Sequence, residues 1–273
     1  MTINCKGTLI DLASPKVMGI LNITPDSFYD GGKYKNEVAI LKQAEKMLLE
    51  GATFIDVGAY SSRPGAQHIS EEIELKRSMP VIDLLIKNFP EIIISVDTFR
   101  SKVAQETVLS GAAIINDISG GKMDSKMFKT VADLQVPYVL MHMLGTPQNM
   151  QKNPVYKDVV QEIISFFAAQ IFKLHQLKVN DVIIDVGFGF GKTIHHNYQI
   201  LKHLALFKSL DAAILAGVSR KSMLYKTLDI SAQEALNATT SANTIALLNG
   251  ANILRVHDVK EAFEAIKIVQ QVK

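Results

Sequence analysis

The residues best suited to bind an anion lie near the end of the chain. Arg255 and His257 stand two residues apart in a predicted strand, so the alternation of side chains directs both to the same side. Lys221 lies in a basic segment, Ser-Arg-Lys-Ser at 219–222. This cationic cluster predicts a site for phosphate or diphosphate, because guanidinium and ammonium groups are strong donors to phosphate oxygens. An ion pair between Arg255 and a carboxylate of the same site is an alternative, and it is compatible with anion binding.

Three polar residues at the ends of predicted strands can, together with Lys221, bind a flat ring rich in nitrogen. Asp97, Asn116 and Asp185 offer acceptors and an amide donor. A carboxylate opposite an amino-pyrimidine edge can accept two hydrogen bonds, and this pairing is specific rather than merely attractive. The sequence therefore predicts a ring-binding pocket beside the anion site.

Two long loops are candidates for lids over this site. Residues 22–32 and 58–66 are polar and rich in Gly, Pro and Ser, which at the mouth of a barrel is typical of catalytic loops. Plain surface connections are the alternative. In the second loop, Arg63 is a candidate anion ligand through its bidentate guanidinium, or else a solvated side chain.

Other patterns do not predict a site. The segment Gly-Phe-Gly-Phe-Gly-Lys-Thr at 187–193 lacks the glycine spacing of nucleotide-binding loops, since Val186 and Lys192 stand where glycines are needed. His195 and His196 are adjacent rather than three or four residues apart, which argues against zinc. His142 is expected to be a packed or hydrogen-bonded core histidine.

Eight apolar segments of strand length can position these residues. They are almost continuously apolar and alternate with segments of helical periodicity, a pattern typical of parallel strands covered on both faces. No linker interrupts this alternation over 1–273, so we predict one α/β domain, a (β/α)8 (TIM) barrel, rather than an open doubly wound sheet of about six strands. The segments are 17–22, 53–58, 92–97, 113–118, 138–142, 182–186, 213–219 and 252–257.

The spacing between helix ends and polar residues supports the barrel. Each of four predicted helix ends carries a residue suited to the left-handed conformation, and a polar residue follows five positions later. The helix-end residues are Gly51, Gly111, Asn180 and Gly250, and the polar residues are Asp56, Asn116, Asp185 and Arg255. Because one interior layer of such a barrel takes its side chains from alternate strands, we expect these four polar residues to form a layer at the C-terminal mouth. Chance polarity at strand ends is the alternative.

Three local signals concern helix ends. Ser231 and Glu234 form a capping-box pair at the start of a helix predicted over 230–249, and Asp258 can cap the helix after the last strand. Pro80, inside the pattern at 73–87, indicates a kink or a later helix start.

Composition excludes several classes of protein. Hydrophobic residues make up 48% of the 273 and charged residues 21%, which is typical of a globular chain. The formal net charge of +2 gives no global field for binding nucleic acid or a membrane surface, so neither is predicted as a partner. The single Cys5 cannot form an internal disulfide, and the first residues lack the pattern of a secretion signal, which predicts a cytoplasmic protein.

Seven segments, in order, resemble the dihydropteroate synthase family of folate biosynthesis, whose fold is the (β/α)8 barrel. They are MGILNITPDSFYDGG, IDVGAYSSRPGA, SVDTF, IINDISGG, IIDVGFGFGK, GVSRKS and RVHDV. The resemblance implies a transferase that condenses (7,8-dihydropterin-6-yl)methyl diphosphate with 4-aminobenzoate to give 7,8-dihydropteroate and diphosphate. It also implies a homodimer, for which the small and apolar residues of 230–251 are a candidate contact face. The alternative is that this face packs within its own barrel.

The resemblance implies roles for individual residues. Asn22 would bind Mg²⁺ and the diphosphate, while Ser62 and Arg63 would act from the second loop. The pterin would be held by Asp97, Asn116, Asp185 and Lys221. The diphosphate would be held by Arg255 and His257. The catalytic group would comprise Arg63, Lys221, Arg255 and His257.

The chain departs from the family pattern at two places. The usual Glu-Ser-Thr-Arg-Pro of the second loop is replaced here by Tyr60-Ser61-Ser62-Arg63-Pro64, and the usual proline after the sixth-strand aspartate is Val186. We expect Tyr60 to affect the geometry of the loop and the affinity for aminobenzoate. We expect Val186 to change backbone stiffness more than chemistry.

Charge considerations favour a dissociative substitution. Mg²⁺, Arg255 and His257 would spread the charge of the leaving diphosphate, and the electron-rich pterin would stabilise the cation left on its methylene carbon. Two alternative functions remain. A pterin-binding methyltransferase would not need the second-loop segment or the Arg255–His257 cluster, and a non-catalytic pterin-binding paralogue would not need Asn22 or Lys221.

Overall fold

A computed structural model describes residues 1–23, 33–61 and 68–272, and a closed barrel of eight parallel strands lies at its centre. In the described residues the strands are β1 (Thr2–Cys5), β2 (Thr8–Asp11), β3 (Lys16–Asn22), β4 (Phe54–Gly58), β5 (Ile94–Asp97), β6 (Ile114–Asp117), β7 (Tyr138–Met141), β8 (Val182–Asp185), β9 (Ala213–Ala216) and β10 (Ile253–Val256). The barrel runs from β3 to β10 in chain order, and β10 pairs with β3. Each predicted apolar segment overlaps one barrel strand, so the predicted (β/α)8 barrel is confirmed.

Helices cover the outer face of the barrel. They are α1 (Lys33–Leu49), α2 (Glu71–Asn88), α3 (Ser101–Leu109), α4 (Met127–Leu134), α5 (Val159–Gln176), α6 (Ile194–Lys202), a 3₁₀ helix (Leu204–Leu210), α7 (Ser222–Leu228), α8 (Leu236–Leu248) and α9 (Val259–Gln270). The outward side chains of the strands pack against these helices. Ile55 and Val57 of β4, for example, belong to the same apolar cluster as Ile82 and Leu85 of α2. Among the described residues, no helix combines the length and the apolar character that a bilayer crossing requires.

A hairpin of β1 and β2, which we did not predict, closes the lower end of the barrel. Buried and exposed residues alternate along β1, so that Ile3 and Cys5 point inward. Together with Leu12 they pack against the interior side chains Met18 and Phe54. Burial raises the pKa of the Cys5 thiol to about 12. Cys5 is therefore a small apolar core residue rather than a reactive thiol.

Three of the four predicted left-handed helix ends are confirmed, and one is wrong. Gly51, Gly111 and Gly250 have φ values of +103°, +125° and +99°. After α5, however, the left-handed residue is Lys178, with φ of +62°, and not Asn180. A side chain other than glycine or asparagine costs about 1 kcal/mol in this conformation. The packing of α5 on the barrel therefore decides where this helix ends.

The predicted helix over 230–249 is also wrong at its start. Ser231 does donate to the Glu234 carboxylate (2.7 Å), but this contact lies in a turn that precedes Leu236, where α8 begins. Asp258 stands before α9 without capping it, because its carboxylate accepts two bonds from Arg220, each of 2.9 Å. Pro80 does not mark a helix start, since it lies within α2.

Candidate active site

A layer of polar side chains fills the upper interior of the barrel. Asp56 on β4 is fully buried, and its Oδ2 accepts a hydrogen bond from Asn116 Nδ2 on β6 (3.0 Å) and one from Arg255 Nε on β10 (2.6 Å). Asp185, on β8, the third of these four alternate strands, is also buried. The predicted polar layer is thus confirmed. It forms because the interior-facing residues of the even strands become polar one step above the apolar lower layer.

Arg255 lies between two carboxylates. Besides its bond to Asp56, its Nη2 donates to Asp97 Oδ2 at 2.9 Å. Burial alone would lower the pKa of Arg255, but Asp56 and Asp97 outweigh burial and hold it above its usual value. Burial raises the pKa of Asp97 to about 7, with Arg255 opposing the rise. The predicted ion pair between Arg255 and mouth carboxylates is therefore present, and it orients the guanidinium.

Asp185 and Lys221 lie close enough at the mouth for the charge of each to act on the pKa of the other. Asp185 Oδ1 accepts from the Gly187 backbone N–H at 2.8 Å, while Oδ2 lies beside Gly217, where the missing side chain leaves space. Lys221 Nζ donates to the Phe188 carbonyl and lies 4.5 Å from the centre of the Phe190 ring. Burial lowers the pKa of Lys221 to about 8, with Asp185 opposing the fall. Burial also raises the pKa of Asp185, opposed mainly by Lys221.

His257 lies at the exposed rim rather than in the polar layer. Its Nδ1 is 3.0 Å from Ser219 Oγ, and its backbone N–H donates to the same hydroxyl at 3.2 Å. Ser219 thus ties the loop after β9 to the end of β10. The residues that follow them on the two loops, Arg220 and Asp258, form an ion pair. His257 and Lys221 are therefore held on two loops that are joined to each other.

Asn22 ends β3 next to Asp97. A Cβ atom placed on Gly58 would lie 3.4 Å from Asn22 Oδ1 and 3.9 Å from Asp97 Oδ2, so the two side chains flank that glycine. Among the described residues, no group of three or more His, Cys, Asp or Glu side chains could hold a metal. Two further predicted site residues, Ser62 and Arg63, lie outside the residues that the structure describes.

An apolar wall beside the polar layer was missed in the sequence. It consists of Tyr60, Phe99, Ile118, Met141, Met143 and Met150, with Met123, Ile69 and Phe190 packed against it. The alternation of side chains along a strand could have revealed part of this wall, because residues two apart point to the same side. Ile118 is two residues from Asn116, and Met141 is two residues from Val139. A polar layer next to an apolar wall suits a flat ring with a polar edge.

The two described ends of the second loop are joined by Arg100, another residue that sequence reasoning missed. Its guanidinium forms an ion pair with buried Glu74 of α2 and lies 3.4 Å from His68 Nε2. His68 Nδ1 is in turn 3.2 Å from the Tyr60 hydroxyl, which also accepts from Gln148 Nε2 at 3.2 Å. Burial raises the pKa of Glu74, and Arg100 is among the groups that oppose the rise. Tyr60 therefore belongs to a polar cluster that holds both ends of this loop.

The glycine-rich segment after β8 encloses a buried lysine. Lys192 is 3% exposed, and its Nζ lies 2.9 Å from the Gly187 carbonyl and 3.1 Å from His142 Nδ1. His142 is 5% exposed, as expected for a core histidine. Burial, helped by the charge of Lys192, lowers the pKa of His142 to about 2, so this imidazole is neutral.

Comparisons with known proteins agree with this geometry. The pterin binding enzyme family matches residues 18–257. The dihydropteroate synthase of Escherichia coli K12 is 43% identical over 272 residues, which cover 99% of this chain and 96% of that one. The Yersinia pestis dihydropteroate synthase, solved with a sulfonamide drug complex, superposes with a TM-score of 0.93 at 42% identity, covering 100% of this chain and 99% of the other.

A second solved structure is that of the Xanthomonas albilineans dihydropteroate synthase with 4-aminobenzoic acid. It superposes with a TM-score of 0.92 at 37% identity and covers 99% of this chain and 97% of that one. The similarity therefore extends over the whole barrel and includes its mouth. This chain belongs to the dihydropteroate synthases, transferases of folate synthesis within the pterin binding enzyme family.

Proposed function

We propose that the enzyme condenses (7,8-dihydropterin-6-yl)methyl diphosphate with 4-aminobenzoate, releasing 7,8-dihydropteroate and diphosphate. The Xanthomonas albilineans relative has been solved with 4-aminobenzoic acid and also in complex with 7,8-dihydropteroate. Those ligands correspond to one substrate and the product of this reaction.

The observation that carries the proposal is the arrangement of Asp185 and Lys221. Asp185 has one oxygen oriented by Gly187 and the other directed at the space beside Gly217. Asn116 adds a buried carbonyl oxygen that has no hydrogen-bond donor among the described residues. These acceptors match the N–H groups of a pterin edge, and the neighbouring Phe190 ring suits its flat face. The methylene carbon would then point toward the loops.

The chemistry follows from the charges around that carbon. The bond between the pterin methylene and the diphosphate oxygen breaks, and its electron pair leaves with the diphosphate. Arg255 and His257 stabilise the charge that develops on the leaving group. The aminobenzoate nitrogen then forms the new carbon–nitrogen bond and passes a proton to the released diphosphate. A dissociative path needs no strong base, and the apolar wall at the mouth excludes water that would capture the cation.

Asn22 fits a role in binding Mg²⁺. Its side-chain oxygen is a hard donor beside Asp97, and Mg²⁺ in proteins is commonly held by one or two side chains together with substrate phosphates and water. When bound, the ion would neutralise part of the diphosphate charge. Ser62 and Arg63 would act on the same substrates from the second loop.

We also propose a homodimer that uses the outer face of α8. Ala242 and Ala246 of this helix are buried on their own barrel, whereas Ile245 and Leu248 are 45% and 51% exposed. Light scattering should give about twice the 30.1 kDa chain mass, and Ile245→Asp should give the monomer. A 30.1 kDa particle at micromolar concentration would contradict the dimer.

The expected cytoplasmic location can be checked by cell fractionation.

The test of the reaction is an assay of diphosphate release. Release should require the pterin diphosphate, 4-aminobenzoate and Mg²⁺ together, and mass spectrometry should identify dihydropteroate. Lys202→Met, a variant of an exposed residue, serves as a control and should release diphosphate at the wild-type rate. Pterin binding without diphosphate release would indicate the non-catalytic alternative and refute the proposed reaction.

A further inference from the structure

Lys192 is a buried cation that the reaction does not use. Its Nζ contacts three carbonyl oxygens, those of Gly187 (2.9 Å), Phe190 (3.0 Å) and His142 (3.2 Å), in addition to the His142 ring. Three carbonyl acceptors match the three N–H donors of an ammonium, so this geometry supports the charged form even though burial lowers the pKa of Lys192 well below its usual value. Within the described residues Lys192 has no carboxylate in ion-pair contact. Burying a charge is costly, and here the nearby charge of Asp185 offsets only part of the cost, so a further benefit must offset the rest.

The loop around Lys192 has a backbone shaped to present these carbonyls. Gly187, Gly189 and Gly191 have φ values of +67°, +81° and +63°. A Cβ atom at Gly187 would overlap the His142 carbonyl oxygen, and one at Gly191 would lie 2.6 Å from the Leu144 carbonyl oxygen. The loop therefore wraps closely around the ammonium and over the end of β7.

The same loop orients the two groups that face the pterin site. Its first N–H, from Gly187, binds Asp185 Oδ1, and the carbonyl of Phe188 accepts from Lys221 Nζ. The ring of Phe190 lies beside that ammonium as well. Within residues 187–190, Lys192 binds the carbonyls of Gly187 and Phe190. The Gly187 N–H and the Phe188 carbonyl, which contact Asp185 and Lys221, lie in the same stretch.

We propose that Lys192 is a positioning residue for the pterin pocket: its buried ammonium holds residues 187–190 so that Asp185 and Lys221 face the ring. This inference rests on the proposed function for the identity of the ligand. It predicts that the loss of Lys192 weakens pterin binding more than aminobenzoate binding, because the second loop is attached elsewhere, through Arg100 and Glu74.

The experiment compares Lys192→Met and Lys192→Gln with the wild type and with the exposed control Lys202→Met. Met keeps the apolar stem and removes every donor, while Gln keeps two N–H donors without the charge. Calorimetry with a pterin that lacks the diphosphate, below each variant's melting temperature, should show about tenfold or greater weakening for Met and less for Gln. KM for the pterin diphosphate should rise in parallel, and KM for 4-aminobenzoate should change by less than about twofold.

A purely structural lysine would give a different result. It would lower the melting temperature but leave the pterin affinity of the folded variants within about twofold of the wild type, and that outcome would overturn the proposal. Failure of both variants to fold would assign Lys192 to the core and would also overturn it. Wild-type diphosphate release is measured first, because its absence would refute the proposed function, whereas normal release with unchanged pterin affinity in the variants would refute only the role of Lys192.

Discussion

The lower and upper halves of the barrel interior are built from the same strands but have opposite chemistry. Phe54 and Asp56 are two residues apart on β4 and point into the same interior, yet the first lies in the apolar lower layer and the second in the polar upper layer. The hairpin closes the lower end through Leu12 and Ile3, while the upper end opens to the loops. A step of two residues along a strand therefore separates a stabilising position from a binding position.

The energetics of the two halves differ as well. An apolar side chain such as Phe54 contributes about 2 kcal/mol or more through burial alone. The pairs formed by Arg255 with Asp56 and Asp97 must first offset the desolvation of buried charges, so they contribute little net stability although losing one partner is costly. The upper layer therefore orients groups for binding, and the lower layer stabilises the fold.

Removing the central cation should have the largest effect. Arg255→Met leaves Asp56 and Asp97 as buried acceptors without their cation, which should cost about 3–5 kcal/mol of unfolding free energy. Loss of a charge-stabilising donor should also lower turnover by about 10²–10³-fold. Urea denaturation and the diphosphate assay measure the two effects. Adding Asp56→Asn to this variant should recover part of the stability but not the activity. Recovery of activity would contradict the role of Arg255 in stabilising the charge of the leaving group.

Phe54→Ala tests the lower half. The cavity should cost about 3–5 kcal/mol of unfolding free energy, because the ring is fully buried beneath the polar layer. Substrate KM values should stay near those of the wild type at temperatures where the variant is folded. A large change in pterin KM would show that the two halves are not separable.

Substituting a single acceptor of the upper layer should have a smaller effect. Asp97→Asn and Asp185→Asn each replace an acceptor oxygen with a donor, and losing a charged hydrogen bond should weaken pterin binding by about 1.5–3 kcal/mol, tenfold to hundredfold. Calorimetry checks this result. Unchanged pterin affinity in both variants would remove these residues from the pocket.

The smallest effect concerns pH. The pKa of Lys221 is lowered from 10.5 to about 8, so this side chain loses its charge as pH rises above about 8. If the cation binds the substrate, kcat/KM for the pterin diphosphate should fall by up to about tenfold per pH unit above that value. Lys221→Arg should abolish the break, because a guanidinium stays protonated. An identical break in both enzymes would assign it to another group.

Stability should change in the opposite direction over the same range. Between pH about 8 and 10.5 the unfolded chain binds more protons at Lys221 than the folded chain does, so the contribution of this residue to unfolding free energy rises with pH. Urea denaturation of the wild type and Lys221→Arg isolates the difference.

Local patterns in the sequence were enough to predict the barrel and much of its mouth. Runs of apolar residues repeat along the chain, and the five-residue spacing from helix ends to polar residues predicts one interior layer on alternate strands, formed by Asp56, Asn116, Asp185 and Arg255. The spacing from Asn180 nevertheless placed Asp185 correctly for a wrong reason, since α5 ends at a left-handed Lys178 instead. Such helix ends depend on packing between elements as well as on residue preference.

The sequence by itself determined which residues have chemistry to offer and on which strand ends they stand, because strand length, alternation and turn residues are local properties. Only the tertiary structure decided their partners. Arg255 meets Asp56 and Asp97 across 199 and 158 residues of chain, and Lys192 meets His142 across 50. Hydrogen bonds and ion pairs depend on a few tenths of an ångström between atoms that only barrel closure brings together. Whether a cation binds a substrate, a carboxylate or the backbone is therefore set by the folded geometry.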